Sequence, residues 1–491
     1  MKKGKKLMLS ALTVLMLSGC TKEQKENAVS DKTIKTVDYE AETARLLGGT
    51  SIQKEENMEY VEGFQEDADG MELDIFIDTT GFYDIHIINR SADGGYKENY
   101  LLVDGSKMGN FAIEGTEFTD SKLRRVYLEE GEHTVSIMKY WGWIHVDKIQ
   151  IVQSAPLDEE RFQIDPVLVN PNAADCAKRL MTYLCDIYGK DILSGQYCDM
   201  GMYGKENAVI WKTTGKYPAM LGLDFIEYSP SRAAHGSSSK AVEYAIEYWE
   251  SGGVVTFCWH WNAPEKYLTG EWYSGFYKEH TNIDLAKIMN GEDEEGYQLL
   301  MEDIDAIAEQ MLKLQEADVP ILWRPLHEAS GGWFWWGNAG AEAYKQLYKF
   351  LYDRLTNEYQ INNLIWVWNG QDADWYPGDE YVDIIGEDIY PGERVYTPQT
   401  AKYLDVLDYT PEKKMVVLSE NGCLFDPDIA LRDGAMWGYF GTWGGEFVAQ
   451  NVNINLLSEQ YTEEEMVKKV YNHEHVITRD ELPDLKNYPL R

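Results

Sequence analysis

Trp323-Arg324-Pro325-Leu326-His327-Glu328 runs directly into Ala-Ser-Gly-Gly-Trp333-Phe-Trp-Trp336. Met415-Val-Val-Leu-Ser-Glu420-Asn421-Gly422 is a second apolar run ending in a glutamate. Residues 320–323 and 415–418 read as short buried strands, so each carboxylate falls at a strand's carboxyl end. Two carboxyls among indoles suit cleavage of a glycosidic bond. One protonates the leaving oxygen, the other attacks or supports the anomeric carbon, and flat rings stack on pyranose faces. A lone Glu at a strand end is ordinarily a solvated surface residue; two in matching aromatic settings are not. No His-x-x-x-His pair, phosphate-binding glycine loop or dinucleotide fingerprint competes with that chemistry, and the hydrolysis requires no cofactor.

The positioning elements follow from residue 165 onward, where apolar strand-like runs alternate with helical periodicity. The runs lie at 192–196, 217–224, 253–260, 320–328, 364–368, 382–390, 415–420 and 435–440. Helical spacing separates them, for example over 241–250, 302–317 and 341–359. Eight such strands predict an α/β chain closed into a (β/α)8 TIM barrel, with its site at the strands' carboxyl ends. Trp366 and Trp368 alternate within one strand and read as barrel packing, with one of them reaching the cleft as the alternative. Glu227 and Glu387, also near strand ends, read as structural or peripheral.

Residues 36–153 follow a different pattern. Period-two alternation over 71–77, 83–88 and 133–138, with turn signals at Asp93-Gly94-Gly95, Asp104-Gly105 and Glu130-Gly131, predicts an all-β sandwich. Tyr140-Trp141-Gly142-Trp143 either stacks on sugar from a loop or plugs the sandwich core. Residues 154–164, opening with Ser154-Ala155-Pro156, form a linker, and 165–491 the barrel domain.

Arg324-Pro-Leu-His-Glu328 with Trp333 five residues on resembles glycoside hydrolase family 26. Trp259-His260, Gly386-x-Asp388-x-Tyr390, Ser419-Glu420-Asn421-Gly422 and Trp443 extend the likeness across 165 to about 455. The resemblance implies a retaining endo-β-1,4-mannanase of the large barrel clan, acting on mannan, glucomannan or galactomannan by double displacement. Glu328 would be the acid/base on strand four and Glu420 the nucleophile on strand seven. Most of that clan has Asn before the acid/base; here it is His327. His260, Arg324, His327, Trp333, Asp388, Tyr390 and Trp443 are the implied substrate-binding set. Within it Tyr390 is placed to bond the nucleophile, and Asp388 either pairs with Arg324 or meets substrate. The same family also implies β-1,3-1,4-glucanase, xylanase or exo-mannobiohydrolase as rivals. A glycan-binding surface lipoprotein without catalysis is the reading from another class, and intact Glu328 and Glu420 argue against it.

Tyr39-Glu40-Ala41-Glu42, Tyr60-Val-Glu-Gly-Phe64, Val103-Asp-Gly105 and Val146-Asp147-Lys-Ile149 resemble carbohydrate-binding modules of the family 35/6 type. That likeness implies a structural calcium held by Glu40, Glu42 and Asp147, whose oxygen-only ligands suit a hard cation.

Lys2, Lys3, Lys5 and Lys6 precede a short apolar run over 7–17 and then Leu17-Ser18-Gly19-Cys20. The run is too short to span a bilayer and reads as a leader, 1–19. Its ending resembles a bacterial lipobox, which implies lipidation of Cys20, a polar tether over 20–35, and export to a bacterial membrane or cell surface. The other five cysteines show no disulfide framework and no zinc spacing. A formal charge of −38 over 491 residues makes nucleic acid a poor partner. The aromatic share of 13%, with 16 Trp and 33 Tyr, fits a carbohydrate ligand instead. Oligomeric state leaves no mark in the chain.

Overall fold

The computed structural model describes residues 36–55 and 58–491. The leader, the tether and Cys20 fall outside the described residues. Among those described, no helix is long and apolar enough to cross a membrane.

Alternation in the amino-terminal part produces two facing antiparallel sheets. One orders Ser51–Glu55, Met58–Glu62, Ile144–Gln153, Gly81–Ser91 and Thr119–Leu128, with Thr36–Glu40 also on Ile144–Gln153. The other orders Arg45–Leu47, Gly70–Ile77, Gly131–Lys139, Lys97–Val103 and Ser106–Ile113. In Gly70–Ile77 the period is plain: Met71, Leu73, Ile75 and Ile77 are buried while Asp74 and Phe76 face outward. The sandwich core is built from such residues, Val61, Ile87, Val135 and Ile149 among them.

The remainder closes into a barrel of eight parallel strands: β1 Gly195–Tyr197, β2 Met220–Asp224, β3 Val254–Cys258, β4 Ile321–Arg324, β5 Leu364–Trp368, β6 Ile384–Ile389, β7 Met415–Asn421 and β8 Phe440–Thr442. Each falls in or against a predicted run, with shifts at both ends of the series. In the first run Ile192–Leu193 pairs with Val476–Ile477, and the barrel strand starts only at Gly195, where a side chain would strike the Phe440 carbonyl. The last run, predicted over 435–440, yields a strand only at Phe440–Thr442, and its ladder with β7 slips between Leu418 and Asn421. Of the predicted helices, 241–250 appears as Ala241–Glu250, and 302–317 appears as the longer Glu294–Glu316, which stops one residue short of it. The latter begins early because the Asp293 side chain accepts from Gly296 N at 2.9 Å and caps it. The helix from Ala341 is regular to Tyr352 and finishes in a π-helical turn, Asp353–Glu358.

The sandwich packs directly on the barrel. Ala401, from the helix Thr400–Leu407 that follows β6, is buried in the sandwich core. Arg124 reaches Asp405 at 2.9 Å and Asp408 at 2.6 Å, and Arg125 Nε donates to the Asp433 carbonyl at 2.7 Å. The linker is pinned as well, Phe162 lying edge-on to Tyr188 with ring centroids 5.3 Å apart.

Candidate active site

Strand β4 ends at Arg324 because Pro325 has no N–H to extend the ladder. The chain then turns through Leu326 (φ 51°) and Glu328 (φ 54°), two left-handed residues that are not glycine. Such backbone costs on the order of 1 kcal/mol per residue and persists where its surroundings enforce it. Here Glu328 N donates to the Asn369 carbonyl at 2.7 Å, and Trp336 Nε1 donates to the His327 carbonyl at 2.9 Å. Glu328 thus lies beyond the strand rather than on it, projected over the barrel mouth. Glu420 belongs to β7 itself. The β6–β7 register slips there, so that Glu387 faces Leu418 while Asp388 faces Glu420. A bulge of this kind re-aims a side chain, and here it turns Glu420 inward.

Beneath the carboxylates lies Arg324, with no exposed side-chain surface. Its guanidinium donates to Asp388 Oδ2 at 2.8 Å, to Asn369 Oδ1 at 3.2 Å, to the Tyr197 hydroxyl at 3.3 Å and to Glu420 Oε1. Tyr390 donates its hydroxyl to the other Glu420 oxygen at 2.7 Å. Asp388 is fixed from its far side by Ser419 Oγ at 2.7 Å. Across the cleft Trp333 Nε1 donates to Glu328 Oε2 at 2.9 Å. Oxygens of Glu328, Asp388 and Glu420 all lie within 4.8 Å of one another.

The electrostatics separate the two glutamates. Burial and the negative charges of Asp388 and Glu420 push the Glu328 carboxyl well above the usual carboxylate range. Burial pushes Glu420 up as well, to about 7, against the pull of Arg324 and the Tyr390 hydroxyl. One proton therefore belongs to the pair, and it rests on Glu328, whose hydrogen-bond partner is a neutral indole, while Glu420 keeps the guanidinium.

On the other flank His260 Nδ1 meets Asp224 Oδ2 at 2.6 Å, and His260 Nε2 meets His327 Nε2 at 3.2 Å. Burial, with Arg324 and His260 nearby, holds His327 far below its ordinary pKa, so its ring is neutral. Trp443 closes this side, its ring 4.9 Å from Tyr197 and 5.9 Å from His260.

Every residue assigned from sequence to the barrel site is thus brought to one mouth, but not all to one surface. Arg324 and Asp388 have fully enclosed side chains and lie under the carboxylates, out of reach of a substrate, because their charges satisfy each other. His260, Trp333, Tyr390 and Trp443 face the cleft. Trp366 and Trp368 are buried against Tyr352 and Tyr376, as packing requires, and neither reaches the cleft. Glu387 pairs with Lys402 at 2.8 Å and Glu227 with Arg232 at 2.6 Å. Asp224, Tyr197 and Asn369 were not singled out from sequence, although each ends or follows a barrel strand; a polar residue at that position was the available signal. Among the described residues Cys176, Cys185, Cys198, Cys258 and Cys423 are all free.

In the sandwich Glu40 is exposed and faces Lys148 at 3.9 Å. Glu42 keeps one buried carboxylate oxygen with no partner. Burial raises the Asp147 carboxyl, and the Glu42 charge adds to it. Tyr140, Trp141 and Trp143 stand on the surface, so none of them plugs the core.

Comparison with known proteins agrees with this geometry. The sequence model of glycosyl hydrolase family 26 matches residues 169–481, and that of the family 35 carbohydrate binding module matches 37–154. A mannan endo-1,4-beta-mannosidase of Thermothelomyces thermophilus is 40% identical over 451 residues, 90% of this chain and 90% of that protein. The crystal structure of the Podospora anserina GH26-CBM35 β-(1,4)-mannanase superposes with a TM-score of 0.65 at 38% identity, covering 92% of this chain and 99% of that one. A ruminal GH26 endo-β-1,4-mannanase superposes at 0.66 with 28% identity, over 92% and 99% of the two chains.

Proposed function

This chain belongs to glycosyl hydrolase family 26, with a family 35 module ahead of the barrel, and from that premise we propose a retaining mannan endo-1,4-β-mannosidase that works through Glu420 and Glu328. The observation that carries the reading is the approach of the two carboxylates, with oxygens within 4.8 Å. Direct attack on the anomeric carbon calls for carboxyls roughly 5–5.5 Å apart, whereas inversion needs about 6.5 Å or more to admit a water between them.

In the first step Glu328 gives its proton to the glycosidic oxygen while Glu420 attacks the anomeric carbon. Arg324 and Tyr390 keep Glu420 ionised and aimed, since each donates to a different oxygen of it. Esterification removes the negative charge beside Glu328, so that carboxyl, ionised by the proton it has given up, stays ionised and takes a proton from the incoming water. Trp443 floors the sugar under attack, and Trp333 lies on the leaving-group side, its indole N–H steering the acid. His260 faces the glycone side of the cleft, and the buried His327 holds its ring in place from behind. The position of the glutamates, just after strand four and on strand seven, is the one expected of the retaining barrel clan.

Product sizing tests the reading. A ladder of manno-oligosaccharides from linear mannan, konjac glucomannan and carob galactomannan is expected, and Glu420→Ala should abolish it while leaving binding. Cleavage of barley β-glucan or xylan alone would reject the substrate and keep the chemistry.

Two further assignments are proposed. Glu42 and Asp147 hold a structural calcium in the module, supported by the orphaned Glu42 oxygen and the raised Asp147 carboxyl. The protein is exported and held to a bacterial membrane by lipid on Cys20, supported by the lysine-led apolar leader and its Leu-Ser-Gly-Cys ending. Cys20→Ala should release it into the soluble fraction.

A further inference from the structure

The sandwich carries a continuous run of exposed rings outside the barrel cleft. Tyr96, Tyr140 and Trp141 are 48%, 40% and 53% exposed. Tyr100 stacks on Tyr140 at 4.6 Å between centroids, Tyr140 lies 6.0 Å from Trp141, and Trp141 meets Tyr96 edge-on at 5.7 Å. Exposed aromatic surface of this kind, on a molecule with a full core elsewhere, marks a binding face. Flat rings in series suit the apolar faces of successive pyranoses.

This run ends at the barrel mouth. Lys107 Nζ sits 3.4 Å above the Tyr100 ring and donates to the Pro391 carbonyl at 2.9 Å. Pro391 directly follows Tyr390, the residue bonded to Glu420. At its other side Tyr96 lies within electrostatic reach of Lys402 and of Asp372 in the segment after β5. That segment also contacts Lys402 through Tyr409, whose hydroxyl donates to the Gln371 carbonyl at 3.2 Å and accepts from Lys402 at 3.1 Å. The rings therefore adjoin the segment after β6, which reaches that after β5 through Lys402, Tyr409 and Gln371. The segment after β4, which carries Trp333, adjoins that after β5 through Ser330 N and the Gly370 carbonyl at 3.2 Å. Trp443, Tyr197 and His260 stand on the opposite flank. The sandwich thus meets the side of the cleft from which Glu328 expels the leaving group. Arg124 and the buried Ala401 fix the junction, so the rings keep this place.

We propose that Tyr96, Trp141 and Tyr140, the last backed by Tyr100, continue the cleft on its leaving-group side and hold the departing segment of the same β-mannan chain that the barrel cuts. The inference rests on the mannanase reading of the barrel. It makes the module part of one long binding site instead of an independent tether.

The test compares the whole protein with Trp141→Ala and, separately, Tyr96→Ala, both at exposed positions, on soluble mannan and on mannotetraose. Wild-type and variant melting temperatures are measured alongside. The expected result is a fall of about tenfold in kcat/KM on the polymer, with mannotetraose turnover and melting temperature unchanged. Cleavage of reducing-end-labelled long oligosaccharides should also shift in the variants toward bonds nearer the reducing end. A kcat/KM on the polymer that stays at the wild-type value in both variants overturns the inference. So does a loss confined to adsorption on insoluble mannan, which would mean a detached binding site. If the wild-type protein cuts no mannan, it is the mannanase reading that fails, and glycan binding by Glu420→Ala then shows whether the rings hold mannan at all.

Discussion

His260 and His327 face each other Nε2 to Nε2 at 3.2 Å, so one of the two nitrogens must donate and the other accept. Asp224 decides which by hydrogen-bond logic. It accepts from His260 Nδ1 at 2.6 Å and from the His260 backbone N at 3.1 Å, which places a proton on Nδ1. His260 Nε2 is then the acceptor, and neutral His327 donates from Nε2. The remaining His327 Nδ1 is buried without a partner, and an orphaned lone pair there costs less than an orphaned N–H.

Asp224→Asn is therefore expected to disturb catalysis more than folding. The amide can donate to His260 Nδ1, reversing both tautomers and stranding an N–H on His327. A loss of roughly 10- to 1000-fold in kcat is expected, below the ~10⁴-fold that a wrong tautomer costs where the imidazole is itself the general base. Nitrogen-15 spectra of the histidines, read with kcat, check it. Unchanged tautomers with a full loss of activity would move Asp224 to a purely structural role.

Tyr390→Phe removes one of the two donors that keep Glu420 ionised. Burial already lifts Glu420 to about 7, and loss of the hydroxyl lifts it further. The acid limb of kcat/KM should move to higher pH, with a fall of about 10- to 100-fold at pH 6 and partial recovery at pH 8. The pH profile of the pure variant decides; a limb that stays in place would show that Arg324 alone sets the ionisation.

Asp303 offers a test of stability. It lies on the helix Glu294–Glu316, is buried, and accepts from Trp261 Nε1 at 2.7 Å, while burial raises its carboxyl to about 8. Between its ordinary value near 4 and about 8 the folded protein holds a proton that the unfolded chain has released. Its contribution to stability is complete below pH 4 and drains away as pH rises to 8. Asp303→Asn retains an acceptor for the indole and cannot ionise. The variant should match wild type near pH 4 and exceed it at pH 8, by on the order of 2–3 kcal/mol. Melting curves at the two pH values check it, and parallel curves would place the carboxyl's ionisation in the ordinary range.

Chelation tests the module. If Glu42 and Asp147 share calcium, EDTA should lower the melting temperature by several degrees and excess Ca2+ should restore it. Glu42→Gln should remove most of that difference. A melting temperature indifferent to EDTA would leave the Glu42 oxygen unexplained by a cation.

Much of the barrel and its two glutamates could be read from the chain, because fully buried parallel strands write themselves as apolar runs and the chemistry sits where each run stops. Glu420, Tyr390 and His260 were legible for that reason. The roles of Arg324 and Asp388 were less so. Sequence placed them at strand ends beside the site, but only the closed barrel shows that they neutralise each other under it. Asp224 was missed because its work is done through His260 and then His327, across two gaps that carry no sequence spacing. The surface position of Trp141 and Trp143 was equally undecidable, since a ring next to a strand end has the same one-dimensional signature whether it faces in or out.

The placement of Arg324 under two carboxylates has a consequence for the whole reaction cycle. With Glu328 protonated, the group of Arg324, Asp388, Glu420 and Glu328 carries a single excess electron charge. Once Glu420 is esterified and Glu328 has lost its proton, the same group carries that same excess again. Only its location changes, by a hop between oxygens less than 4.8 Å apart. The fixed dipoles around the barrel mouth therefore see a constant total in both halves of the turnover, and one orientation of those dipoles serves both.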